Sequence, residues 1–143
     1  MDVILDDRLL IEELLSGIEA RGAALHTTTY WYYRACRAAT LGAGGYLSGP
    51  FTEVPNHVQS AAIAGMLRLP SSIGLPDPRR TVPFMVDLSE RHPQLNLLNL
   101  EAAAFAMSLQ ASVWLSHRAA TGVLPPILDA ERIEWLELPV SAD

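Results

Sequence analysis

Hydrophobic positions fall into short groups whose spacing changes along the chain. Val3-Ile4-Leu5 is a continuous apolar run that stops at Asp6-Asp7. Leu9, Leu10, Ile11, Leu14, Leu15 and Ile18 follow at the spacing of one helical face, so the opening predicts strand, turn, helix. His26-Thr27-Thr28-Thr29 offers N-cap hydroxyls ahead of a second helix over 30–40, which Gly42, Gly44 and Gly45 end. Thr52-Glu53 opens a third, with Val58, Ala61, Ala62 and Met66 on one stripe before Pro70 stops it. Residues 70–81, with three prolines, a glycine and Arg79-Arg80, predict a surface loop, and a short helix over about 82–91 follows. The 95–109 segment is Ala-rich with few breakers and gives the clearest helix. Residues 112–116 predict a buried strand. Pro125-Pro126 suits the first turn of a last helix through about 132, and 134–138 alternates as a strand with one buried face.

This order predicts an α/β fold with a small parallel sheet flanked by helices. A chain of 143 residues, 50% of them hydrophobic, suffices for one core, so one domain over 1–143 is expected. In parallel sheets ligands bind outside the carboxyl ends of the strands. Asp6, Asp7, Ser116 and His117 each follow a predicted strand and are the first residues to inspect.

Composition narrows the function classes. No apolar stretch approaches the roughly 18 residues that a bilayer span needs, so no membrane partner is expected. The first seven residues carry acids where a secretory signal carries positive charge, which predicts a cytoplasmic location. A lone Cys36 excludes an internal disulfide and a cysteine-based metal knuckle. A net charge of −6 argues against nucleic-acid binding through a broad basic surface and leaves room for a local basic path. All ten basic residues are Arg, best ascribed to codon usage, although Arg also suits bidentate contact with phosphate or carboxylate.

Asp6 or Asp7 could offer a carboxylate to a hard divalent cation such as Mg²⁺ or Mn²⁺; equally, one could cap the following helix while the other is solvated. Adjacent side chains leave a strand end in different directions, so at most one reaches a site, and Asp6 is the choice. Asn96 and Asn99 read first as caps, and Glu101 as a first-turn acid favoured by the helix dipole. Tyr30-Trp31-Tyr32-Tyr33 with Arg34 and Arg37 resembles a stacking platform for RNA bases with guanidinium groups for phosphates. Four consecutive aromatics cannot share one helix face, and packing in the core or against a partner is the stronger reading. Ser116-His117 lacks both a G-x-S-x-G elbow and a third triad member, which weakens a small-molecule hydrolase reading. Gly42, Gly44 and Gly45 form no Walker motif, since the chain contains no Lys.

Val3-Ile4-Leu5-Asp6, together with Asn99-Leu100-Glu101-Ala102-Ala103-Ala104-Phe105-Ala106 running into Leu109 to Ser116, resembles the PIN domain, the nuclease fold of VapC-type toxins of toxin–antitoxin pairs. The resemblance rests on strand order, length and the two terminal thirds. It implies a Mg²⁺- or Mn²⁺-dependent endoribonuclease with Asp6 as metal ligand, and with Asn99 or Glu101 at the position of the family's late-helix Asp. Tyr30, Arg34, Arg37 and His117 would then contact RNA. The family's early-helix Glu falls near Tyr32 or Tyr33, and its Asp after the later strand meets Ser116-His117-Arg118, so the acidic set is incomplete. Metal-assisted hydrolysis needs clustered carboxylates, and loss of two or three should weaken metal binding sharply. The alternative is a non-catalytic PIN-like binding or scaffold protein acting as a homo-oligomer or with an antitoxin-like partner.

Overall fold

The computed structural model describes residues 1–41 and 45–140. Its elements run β1 (Asp2–Leu5), α1 (Asp7–Leu15), β2 (Ala24–Thr27), α2 (Thr29–Leu41), a 3-10 turn (Gly45–Leu47), α3 (Gly49–Thr52), α4 (Asn56–Leu67), α5 (Pro78–Arg91), α6 (Leu97–Leu109), β3 (Ser112–Leu115), α7 (His117–Ala120), α8 (Leu124–Ala130) and β4 (Trp135–Glu137). The four strands form one parallel sheet in the order β2-β1-β3-β4.

The central strands explain their own sequences. A parallel strand covered on both faces reads as an unbroken apolar run. Val3, Ile4 and Leu5 are fully buried, as are Val113 and Leu115. Alternate side chains serve opposite faces. Ile4, Val113 and Leu115 pack with Ala102 to Ala106 of α6 and with Leu88, Leu124 and Leu128, whereas Val3, Leu5 and Trp114 pack with Leu9 and with Ile18, Leu138 and Val140. A further cluster joins α1, α2 and α4 through Leu10, Ile11, Ala35, Ala38, Ala62 and Met66. No helix among the described residues is long and apolar enough to cross a membrane.

The parallel sheet flanked by helices is as expected, with differences in detail. Residues 24–27 form β2, where hydroxyl capping alone was expected: His26 and Thr27 pair with Ile4 and Leu5. Of the expected hydroxyls, that of Thr28 caps α2, its Oγ1 accepting the Trp31 N–H at 3.1 Å. Ala-Leu-His-Thr hid the strand because an edge strand shows no continuous apolar run. The third expected helix, opened at Thr52-Glu53, begins only after Pro55 as α4, and the short α3 that ends at Thr52 precedes it unpredicted. Helix α5 starts four residues earlier than expected, with Asp77 capping the Arg79 N–H and Pro78 in the first turn, where its missing N–H costs nothing. The short α7, which was not foreseen, lies between β3 and α8. Of the three glycines expected to end α2, Gly42 and Gly44 lie outside the described residues, and Gly45 opens the 3-10 turn.

Strand β1 has β2 on one side and β3 on the other. The chain therefore leaves β1 and β3 beside a topological switch, where an open parallel sheet forms its ligand crevice.

Candidate functional site

Asp6 and Ser116 occupy equivalent places, each one residue beyond its strand, and both are fully buried. The Asp6 Oδ1 accepts the Leu9 N–H at 2.9 Å and so caps α1. Its Oδ2 accepts the Ser116 N–H at 2.8 Å and the Ser116 hydroxyl at 2.7 Å. One carboxylate thus joins the ends of β1 and β3 and starts α1. The Asp7 side chain turns elsewhere: Oδ1 accepts the Arg8 N–H at 2.8 Å, and Oδ2 meets the Arg34 Nε at 2.8 Å. Burial, reinforced by the charge of Asp7, pushes the Asp6 carboxyl up to about 7 against the pull of its three donors. Burial also raises Asp7, opposed mainly by Arg34.

Above this pair opens a cavity of about 360 Å³, lined by Asp7, Trp31, Arg34, Tyr46, Asn99 and Arg118 with an apolar margin that includes Leu98 and Leu124. The Arg118 Cζ stands 3.9 Å from the centroid of the Tyr46 ring, a cation–π contact that fixes the guanidinium. Burial raises the Tyr46 phenol, which also senses the charges of Asp7, Arg34, Asp6 and Arg118. Asp7, Arg34 and Arg118 line the same cavity as Tyr46. A larger cleft of about 480 Å³ lies beside Ser112, Asp129, Arg132 and Trp135. Ser112 opens β3, so that cleft is at the wrong end of the sheet for strand-end chemistry.

The structure redistributes the residues that the sequence singled out. Asp6, expected at the site, is the cap, and Asp7 is the carboxylate facing the cavity, because α1 begins between them. Asn99 lines the cavity, its N–H held by the Asn96 side chain at 2.9 Å. Glu101, offered as a metal ligand and as a first-turn acid, is neither a lining residue nor in the first turn of α6. It is buried, and its Oε1 accepts the Tyr30 N–H at 3.0 Å, which caps α2. Tyr30, Tyr33, Arg34 and Arg37 share the exposed face of α2, while Trp31 enters the core and the Tyr32 hydroxyl donates to the Met66 carbonyl at 2.8 Å. The aromatic run divides between surface and core as helical geometry requires. His117 is exposed and pairs with Glu137 at 3.2 Å. Ser116 is fully buried with its hydroxyl donating to Asp6, which leaves the nucleophile of the hydrolase reading out of a substrate's reach. Tyr46 and the role of Arg118 were not anticipated. Arg118 had a signal, its position two residues after Ser116 at a strand end; Tyr46 had none.

These donors do not fit a divalent cation. Both oxygens of Asp6 and of Asp7 face N–H or O–H donors, Glu101 is turned to α2, and the Arg34 guanidinium already pairs with Asp7. Among the described residues no group of three or more His, Cys, Asp or Glu side chains is arranged to hold a metal ion.

A short parallel sheet with helices on both faces and a crevice at the β1 and β3 ends defines a PIN-like α/β fold. The chain superposes on a chain of the VapBC-1 structure from nontypeable Haemophilus influenzae with a TM-score of 0.51 and 14% identity, over 96% of this chain and 98% of that one. No family model and no curated protein matches the sequence.

Proposed function

We propose that this PIN-like domain is a binding protein related to the toxins of toxin–antitoxin pairs, and that it acts without metal-dependent RNA cleavage. The Arg34–Asp7 ion pair carries the reading. At 2.8 Å, with the Asp7 side chain only 6% exposed, a guanidinium already supplies the positive charge that a metal would supply. Asp6 supports it too, since its lone pairs are occupied by Leu9 and Ser116. The PIN resemblance and the VapBC-1 likeness suggest an antitoxin-like protein or a second copy of the chain as partner. The outer face of α2 suits either, because Tyr33 is 61% and Tyr30 38% exposed beside Arg37. Such amphipathic aromatics recur where protein surfaces meet.

The test is calorimetric titration of the purified protein with Mg²⁺ and Mn²⁺, beside an RNA cleavage assay in the same metals. The expected result is neither saturable binding at millimolar metal nor cleavage. Metal binding that disappears in Asp6→Asn, with metal-dependent cleavage, would instead establish the endoribonuclease, with Asp6 and Asn99 or Glu101 as its residues.

A further inference from the structure

The strand-end cavity is lined by two arginines from different elements, Arg34 of α2 and Arg118 of α7, and by one carboxylate, Asp7. In a chain of net charge −6, its lining carries a surplus of positive charge. Both guanidiniums are held before any ligand arrives. Arg34 is fixed through Nε by Asp7 at 2.8 Å, and its side chain is still 46% exposed. Arg118 is exposed and stacked on Tyr46 at 3.9 Å. Ordering a long side chain costs free energy on binding, so prior fixation favours capture. The Asn99 amide adds a neutral polar group to the wall, and about 360 Å³ is at the small end of ligand pockets.

We propose that this cavity binds a phosphate monoester, with Arg34 and Arg118 gripping the phosphate and the apolar wall of Trp31, Leu98 and Leu124 receiving the attached organic group. Guanidinium forks suit both carboxylates and phosphates. Two guanidiniums from separate elements are matched best by a group that carries close to two negative charges, whereas a carboxylate carries one. A monoester presents three terminal oxygens. A phosphodiester in an RNA backbone presents only two, which disfavours a chain running through the cavity. The inference deepens the reading that this site binds without metal chemistry, by naming the ligand that the inverted charge selects.

The experiment is calorimetric titration of the full chain with inorganic phosphate, AMP, adenosine and the diester ApA at matched ionic strength, with Mg²⁺ titrated separately. Inorganic phosphate and AMP should bind, AMP the more tightly, and adenosine and ApA should bind at least tenfold more weakly than AMP. Arg118→Ala should weaken AMP at least tenfold while the unliganded protein keeps a cooperative urea transition, and Arg118→Lys should fall between. Equal affinity of wild type and Arg118→Ala for AMP would overturn the assignment, as would equal binding of AMP and adenosine. Equal binding of ApA and AMP would overturn the choice of a monoester. Failure to bind phosphate with no Mg²⁺ binding would sink this inference alone, whereas Mg²⁺ binding would sink the metal-free reading on which it rests.

Discussion

Replacing Asp6 with Asn separates the charge of this residue from its shape. In the unfolded chain the carboxyl titrates near 3.8, and in the folded protein burial and Asp7 hold it at about 7. The folded state therefore binds the extra proton between these values, and stability falls as pH rises through that window. A displacement from 3.8 to about 7 corresponds to a loss on the order of 4 kcal/mol, complete once the pH exceeds the folded value. Asn caps a helix about as well as Asp, so the Leu9 bond survives the substitution. The cost falls at Ser116, whose N–H loses its acceptor, about 1–3 kcal/mol for a buried donor left unpaired. Near pH 5, where wild-type Asp6 is neutral, that cost should appear in full as a destabilisation of Asp6→Asn. Near pH 9 the wild type carries a buried carboxylate and the variant does not, so the variant should equal or exceed it. Urea denaturation of both proteins at the two pH values measures the difference. A destabilisation constant to within about 0.5 kcal/mol across them, or a wild type whose stability rises with pH, would show that Asp6 is ionised in the folded protein at pH 5.

Three further substitutions probe the packing of the fold. Glu101→Ala should cost about 1–3 kcal/mol by leaving the Tyr30 N–H without its acceptor, and Glu101→Gln should cost less than about 1; thermal unfolding of both checks the contrast. A Cβ at Gly74 would land on the His26 ring, which Asp2 holds at 2.8 Å and Phe105 packs edge-on. Gly74→Ala should therefore destabilise by about 1–3 kcal/mol, with partial recovery in the double variant carrying His26→Ala, both read from urea midpoints. Arg8 is buried and bonds Glu12 at 3.0 Å, and Glu12 keeps 21% side-chain exposure and can regain water. Arg8→Met should therefore cost less than the roughly 3–5 kcal/mol of a fully buried pair that loses one partner, and adding Glu12→Leu should recover part of it in the same assay.

The elements that frame the site were largely legible in the sequence. Val3-Ile4-Leu5 identifies a doubly covered parallel strand by its unbroken apolar run, and Ser112 to Leu115 repeats the pattern next to an Ala-rich helix. Those two signals placed the crevice at residues 6 and 116. Capping propensity and periodicity act over a few residues, and the sequence displays them directly. The edge strand β2 escaped because four mixed residues carry neither signal.

The division of labour within the crevice was settled only by tertiary structure. Asp6 and Asp7 are chemically identical neighbours, and which of them caps and which faces the cavity depends on Ser116 arriving from 110 residues away and on Arg34 crossing from α2. Glu101 is a plausible ligand until the fold brings it to the start of α2, 71 residues earlier in the chain. The stacking of Arg118 on Tyr46 likewise has no local signature. Short-range pattern determined which residues stand at the strand ends. Which charge meets which, and hence whether the crevice favours a cation or an anion, was decided by packing between distant elements, because Coulombic and hydrogen-bond partners are chosen by proximity in space.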